Sequence, residues 1–477
     1  MKLSTSSFKA NAVRATEDPA LRNALKRATT TFLESRGPTV AETAGWERLR
    51  SDAAEIKKET VEHLDSYLEQ FTENVEKNGG SVYWAKNGKD ACDYVVDLAR
   101  KKGIGRIVKS KSMITEEISL NEALQDAAVE VTETDLGEYI IQLLGDSPSH
   151  VVAPAIHKSK VEIAELFADR LGMPYTEDVP ELTKVAREVL RKKFFEAEMG
   201  ISGTNYGVAE TGSIVIVENE GNARLTTTLP PIHVAVMGIE RLIPKLGDLE
   251  LFLKLLVRSA SGQKISSYVS VITGVSDKVA SVGPKEFHLV LVDNGRTRIL
   301  ADPVLRESLY CLRCGACLNV CPVYQKVGGH AYGWVYPGPI GAVITPQFVG
   351  IDQARDLPFA SSLCGACREI CPVKINLPRL LLNLRGKVKD GTGNATAYRP
   401  LGENLGMKTF AFLARYPRLF SCVFGVLRVF QRPFVKDGYL RLRRIPGMSA
   451  WTRSRELSAL ADNNFATRWK EVSKDDG

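Results

Sequence analysis

The sequence predicts an α/β domain with a largely parallel sheet, then a helical domain organised by cysteine runs, then a helical C-terminal tail. Three observations carry this: short β-rich runs alternate with amphipathic helical ones after residue 81, two spaced cysteine runs lie between residues 311 and 371, and the chain beyond residue 386 is basic and aromatic. Strand and helix in alternation imply parallel strands flanked by helices, because each parallel crossover needs a connection long enough to return along the sheet. With 477 residues, 44% hydrophobic and 25% charged, the chain is long and apolar enough to bury more than one core.

Residues 1–75 read as a helical lead-in. Ile56, Val61, Leu64, Leu68 and Phe71 recur at helical spacing, and the segment ends at Gly79-Gly80. Residues 76–299 form the α/β domain. SVYWA, RIVKS and AVEVTETD read as strands, and ACDYVVDLARKKG, EISLNEALQDA and EYIIQLLG as helices between them. HVVAPAIH then reads as a further strand, KVEIAELFADRLG and VPELTKVAREVLRKKFFEAEMG as helices, and GSIVIVEN, ARLTTTLPPIHVAVMG and FHLVLVDNG as the closing strands. Residues 300–385 carry the cysteine runs, separated by GGHAYGWVYPGPIGAVITPQF, whose Gly and Pro content suggests an ordered loop. Residues 386–477 form the basic tail domain. Its segment Lys408 to Phe434 mixes Phe, Leu and Val with Arg and suits a membrane surface or a partner subunit; Pro417 and Pro433 interrupt any long helix and favour the partner.

CLRCGACLNVCP places Cys311, Cys314, Cys317 and Cys321 before Pro322, a complete C-x2-C-x2-C-x3-C-P run. SSLCGACREICP repeats it with Cys364, Cys367 and Cys371, but Ser361 stands where the first cysteine belongs. In a module of two such runs the fourth cysteine of each ligates the other cluster. One 4Fe-4S cluster would therefore take Cys311, Cys314, Cys317 and Cys371, and the second would take Cys321, Cys364 and Cys367 with its last corner near Ser361. Three forms fit the second: 3Fe-4S on three thiolates, 4Fe-4S with the Ser361 hydroxyl on the remaining iron, or 4Fe-4S with water or a partner's ligand there. Zinc is the competing chemistry for C-x2-C pairs, but it takes thiolates in fours and seven do not divide so. Cys92 and Cys422 read as small core residues.

The stretch GISGTNYGVAETGS, dense in glycine at a strand end, is a candidate pocket with Thr204, Asn205, Glu210, Thr211 and Ser213 as its polar groups. A tight left-handed connection needs the same residues. No G-x-G-x-x-G and no G-x-x-x-x-G-K-[ST] occurs, which argues against dinucleotide and nucleotide triphosphate sites. His330 lies between the runs, where it can tune a cluster or merely pack; His157 and His233 fall at strand ends.

The N-terminus lacks the apolar core of a signal peptide, and no apolar run is long enough to span a bilayer. Cysteine use outside the runs suggests no disulfide framework, as in a reducing cytoplasm. A net charge of +7 is mild for the length and gives no nucleic-acid signal.

Taken together, AETGS at 209–213, LPPIHVAVMG at 229–238, LVDNGR at 291–296 and the two cysteine runs resemble the lactate utilization protein B family over essentially the whole chain. The resemblance implies a LUD domain of the NagB/RpiA/CoA-transferase-like class, a 4Fe-4S ferredoxin-type domain and a C-terminal tail. It implies a part in oxidising L-lactate to pyruvate beside a cysteine-rich subunit and a smaller LUD protein, with a quinone as one candidate acceptor, in the cytoplasm or at the inner face of the membrane. It also implies that serine at 361 is the family's own residue. A CoA-transferase-like fold offers Glu210 as the one obvious nucleophile, without a recognisable base beside it. With no flavin or nicotinamide fingerprint, the chain reads as an electron relay. An iron-sulfur regulator, and a LUD transferase or isomerase with structural clusters, are the alternatives.

Overall fold

The computed structural model describes residues 3–275, 283–392, 395–440, 456–463 and 465–475. The chain divides into two units, residues 1–397 and 398–477. Among the described residues of the first, ten strands follow the helical lead-in: β1 (Ser81–Ala85), β2 (Arg106–Lys109), β3 (Glu130–Glu133), β4 (Met199–Gly203), β5 (Tyr206–Val208), β6 (Ser213–Glu218), β7 (Ile232–Gly238), β8 (Leu242–Ile243), β9 (Tyr268–Ile272) and β10 (Glu286–Val292).

Six of them make one all-parallel sheet in the order β1-β10-β7-β4-β2-β3. Its central strands are covered on both faces: every residue of β7 is buried, as a parallel sheet between helices requires. One face packs Val95, Leu120, Leu124 and Ile201; the other packs Leu68, Phe71, Val75 and Leu289. A second sheet, β8-β5-β6-β9, is mixed, with a β5–β6 hairpin at its centre.

The lead-in is four helices, Phe8–Glu17, Pro19–Ala41, Trp46–Glu62 and Leu64–Lys77. Asp18 caps the second by accepting from Leu21 N at 3.0 Å, with Pro19 at its first position. The stripe expected over one helix runs across two, broken at His63, and Val61, Leu64, Leu68 and Phe71 are all buried. These helices serve more than the α/β sheet. Arg50 Nε donates to the Cys371 carbonyl at 2.9 Å, and Lys57 Nζ donates to the Glu240 and Leu242 carbonyls at 2.8 and 3.0 Å.

Several elements differ from their sequence reading, among them β4, whose Met199 and Gly200 read as the end of a helix. HVVAPAIH forms no strand; its backbone turns, and the His150 ring accepts from the N–H groups of Val152 and Ala153. The Thr-rich start of ARLTTTLPPIHVAVMG is the helix Asn222–Thr228, entered through left-handed Gly221, and only Ile232–Gly238 is strand. The segment between the cysteine runs holds the helix Gly338–Val349. Its residues 338–346 are buried on every side, so no polar face marked it as a helix, and Pro339 sits in the first turn where it costs no hydrogen bond.

In the second unit the helix Leu401–Arg415 and the helical segment Pro417–Phe434 are bent by 116° across a break at Tyr416. Among the described residues no single helix is long and apolar enough to cross a membrane. The pair exposes Phe410, Phe412, Val429 and Phe430, the last 71% accessible.

Candidate functional site: a cavity against paired cysteine loops

In open parallel sheets, ligands collect beyond the carboxyl ends of the strands. Here a cavity of about 320 Å³ lies at that edge. Its walls come from the residues that follow β2 (Ser110–Met113), β3 (Asp135), β4 (Gly203–Asn205), β7 (Glu240, Arg241) and β10 (Arg296), and it is closed by Leu312, Arg313, Cys314 and Tyr336. A wall of the α/β cavity is thus the first cysteine loop itself.

Thr204 and Asn205 line this cavity, and the Thr204 hydroxyl is buried with no protein partner. Asn205 Oδ1 is taken up by Val217 N at 2.9 Å. Glu210, Thr211 and Ser213 are not among the lining residues: they form the β5–β6 turn. Glu210 Oε2 accepts from Leu246 N at 2.9 Å, Thr211 Oγ1 donates to Ser213 Oγ at 2.8 Å, and Ser213 Oγ meets Thr273 Oγ1 at 2.6 Å. Glycine is required at 212 by a φ of 67° and because a Cβ there would lie 2.5 Å from the Asn74 carbonyl carbon.

The cavity floor is a buried ion-pair network. Arg296 forks onto Glu117 at 2.8 and 2.9 Å and reaches Glu240 at 2.6 Å, while Tyr336 donates to Glu117 at 2.6 Å. Burial opposes ionisation of Glu240, but Arg296, Arg313 and Arg241 outweigh it and hold the carboxyl down at about 2. Arg313 lies 3.6 Å from Glu240 and over the Tyr336 ring at 4.7 Å. Arg241 Nη1 donates to the Cys311 carbonyl at 3.1 Å. From the other side, Arg50 holds the Cys371 and Glu369 carbonyls and Arg36 the Ile370 carbonyl. Three guanidiniums therefore face the backbone that carries Cys311 and Cys371, and Arg313 extends from that backbone to Glu240.

The thiols act on one another in two sets, which meet at Cys317 and Cys367. Burial pushes Cys314 up to about 12, with Cys311 and Cys371 adding to it, and pushes Cys371 up to about 12, with Cys311 adding to it. Burial likewise raises Cys317, with Cys311, Cys314 and, from the other set, Cys367 adding to it. In the other group burial raises Cys367 to about 11, with Cys321 and Cys364 as its neighbours, and raises Cys321 beside Cys364. Cys314, Cys317, Cys321, Cys367 and Cys371 are buried, Cys311 is partly so, and Cys364 is exposed. All are free of disulfides.

The donor set fits iron-sulfur clusters. Thiols this deeply buried stay protonated unless a cation sits among them. The hydroxyl of Tyr332, buried among Cys321, Cys317 and Cys367, has no protein partner and suits a sulfur acceptor. Backbone N–H groups of Ala316, Ile340, Tyr324 and Val373 address Cys314, Cys317, Cys321 and Cys371 in turn. Left-handed backbone at Gly315 and Gly365, φ 76° and 86°, turns each loop.

A family model for the LUD domain matches residues 68–292, and one for a 4Fe-4S dicluster domain matches residues 307–375. Lactate utilization protein B of Shouchella clausii is 46% identical over 477 residues, covering 100% of this chain and 99% of the relative. The proteins of that name from Bacillus cytotoxicus and Bacillus licheniformis are 45% and 44% identical, each across 99% of its own length. The chain belongs to the lactate utilization protein B family. Its α/β region is accordingly a LUD domain, its cysteine loops form an iron-sulfur domain, and its role lies in lactate utilization.

In this family member the LUD and iron-sulfur domains also meet at a second place. His330, from the segment between the runs, has Nε2 2.7 Å from the Ser147 carbonyl, and its ring lies 4.6 Å from that of His157, which pairs with Asp146 at 3.1 Å. His233 is buried, bonded to Ser202 Oγ at 2.8 Å, and driven down to about 3 by burial. Cys92 is a buried core residue whose thiol reaches the Ile118 carbonyl at 3.2 Å, and Cys422 is exposed on the second unit. Sequence reasoning missed His150, which packs behind Gly315, and the arginines 36, 50, 241, 296 and 313. Arg313 alone carried a signal, being the one charge inside the first cysteine run.

Proposed function

We propose that this protein is the iron-sulfur electron carrier of an L-lactate-to-pyruvate oxidation system, taking electrons at the cavity end and releasing them at the Cys364 end. The observation that carries this reading is that Cys314 lines the LUD cavity while Cys364, of the other thiol group, is exposed. Bound 4Fe-4S clusters would supply one-electron steps. Cys311, Cys314, Cys317 and Cys371 hold one beside the cavity, Cys321, Cys364 and Cys367 hold the other near the surface, and the surrounding arginines offset the charge of the first. The family names support companion lactate utilization proteins. A cysteine-rich subunit and a smaller LUD protein would complete the assembly, with a quinone as terminal acceptor and the exposed aromatic residues of the second unit as the docking surface for a partner or the membrane. The LUD cavity is an entry point for reducing equivalents; Glu210, which caps a neighbouring turn, is not its nucleophile.

The test is anaerobic purification with the companion proteins, followed by lactate-driven reduction read by EPR. Cys371→Ala should abolish the signal of the cavity-side cluster and leave the other. If both signals survive, the crossed ligation is wrong; if lactate reduces neither cluster in the full assembly, so is the electron-carrier reading.

A further inference from the structure

We infer that the hydroxyl of Ser361 is the fourth protein ligand of the cluster held by Cys321, Cys364 and Cys367. The inference rests on the crossed ligation just proposed. It comes from laying the two loops side by side. In Cys311–Ala316, Arg313 has φ 59° and Gly315 φ 76°, and a helix begins at Ala316. In Ser361–Ala366, Leu363 has φ 55° and Gly365 φ 86°, and a helix begins at Ala366. The residue two beyond the first position points its N–H back at that position's side chain in both: Arg313 N to Cys311 Sγ at 3.4 Å, Leu363 N to Ser361 Oγ at 3.1 Å.

Left-handed backbone is uncommon outside glycine and unfavourable for a leucine, so it persists only where the surroundings impose it. A linker that had lost its ligand would have no need of the turn. Ser361 keeps it, and its Oγ accepts the N–H of the residue two further on, as Sγ of Cys311 does in the matching loop. Arg385 fixes the strand of chain on which it sits, donating from Nη2 to the Ser361 carbonyl at 3.0 Å and from Nε to the Pro358 carbonyl at 2.9 Å. Cys92 does not compete, because its thiol is in the LUD core. On ligation an Fe–O bond forms, the hydroxyl proton goes to solvent, and no electron changes hands.

An oxygen ligand is harder than a thiolate and favours the ferric form, so serine should hold this cluster at a lower potential than cysteine would. The experiment uses the full-length protein, purified anaerobically with iron-57, as wild type, Ser361→Ala and Ser361→Cys, read by Mössbauer spectroscopy, EPR and iron content. Wild type should show two four-iron clusters. Ser361→Ala should lose one iron per chain and give the oxidised-state EPR signal of a three-iron cluster. Ser361→Cys should retain both four-iron clusters and move the midpoint of the surface cluster alone to a more positive value. A Ser361→Ala protein with the spectra and iron content of wild type overturns the inference, as does a Ser361→Cys midpoint unchanged from wild type. Cys371→Ala separates this from failure of the crossed ligation: if that substitution removes the same signal that Ser361→Ala alters, the pairing is wrong, whatever Ser361 does.

Discussion

Replacing Arg296 with Met should be among the most damaging single substitutions in the α/β domain, although the residue touches no thiol. Its guanidinium makes three charge-assisted bonds at 2.6 to 2.9 Å to Glu117 and Glu240, and all three side chains are buried. Removing one partner of a buried pair costs about 3–5 kcal/mol, because the remaining charge is left desolvated. Two carboxylates are affected, yet the cost should not double: Glu117 keeps Tyr336 and Asn294, and Glu240 keeps Arg313 at 3.6 Å. That loss is comparable with the 5–15 kcal/mol margin of a typical domain. Arg296→Lys, which keeps the charge but not the fork, should cost about 2 kcal/mol. Guanidinium unfolding of the anaerobic holoprotein at pH 7, followed by circular dichroism, gives these differences, and the double variant with Glu117→Gln should lose less than the sum of the two singles. The pH dependence has a definite sign. Both carboxyls are held below their ordinary range, so their stabilisation is complete above the unfolded value of about 4.3 and lost as pH falls toward about 2. An Arg296→Met protein within about 0.5 kcal/mol of wild type, a difference typical of a neutral surface change, would refute the network.

Arg50→Gln, which removes a cation from the Cys371 carbonyl, should shift the midpoint of the cavity-side cluster negative and leave the other unmoved in a potentiometric EPR titration. Glu210→Ala should cost about 1 kcal/mol for the lost bond from Leu246 N, with lactate-driven cluster reduction unchanged; a large loss of turnover in the folded variant would return Glu210 to the chemistry. Burial, with Arg241 adding to it, pushes the Lys57 ammonium down to about 7. Folding therefore bears the cost of the buried charge at pH 6 and sheds it as pH rises from about 7 toward the unfolded value of about 10.4, so wild type should gain stability over that range relative to Lys57→Met; parallel midpoint curves for the two would show that the group does not titrate there.

The parts of the molecule that depend on neighbours in sequence were legible in it. Thiols three and four positions apart marked residues 311–371 as an iron-sulfur domain, and five of the six strands of the parallel sheet announced themselves as β-rich runs; β4, read as a helix end and a glycine-dense stretch, did not. What escaped depends on neighbours in space. The Thr-rich helix Asn222–Thr228 has the composition of a strand, and the left-handed Gly221 and its packing against β4 override propensity. The Gly338–Val349 helix has no polar face to give it a period. Of the candidate pocket residues, Thr204 and Asn205 reach the cavity because they follow β4, whereas Glu210, Thr211 and Ser213, a few positions on, belong to a hairpin turn. The arginines that surround the cavity-side thiols come from four separate segments, and nothing in a linear reading brings Arg36, Arg50, Arg241 and Arg313 together.

The reach of Arg50 bears on how the protein is made. Its carbonyl partner at Cys371 lies 321 residues downstream. At a translation rate of about 5–20 residues per second, the helix Trp46–Glu62 emerges roughly 15–60 s before the segment it must clasp. During that interval Arg50 has Glu47 of its own helix as a counterpart, but none of the carbonyls it later holds. The clasp on the second cysteine loop therefore waits for the whole α/β domain to be made, so the N-terminal helices cannot hold that loop until the segment between has left the ribosome.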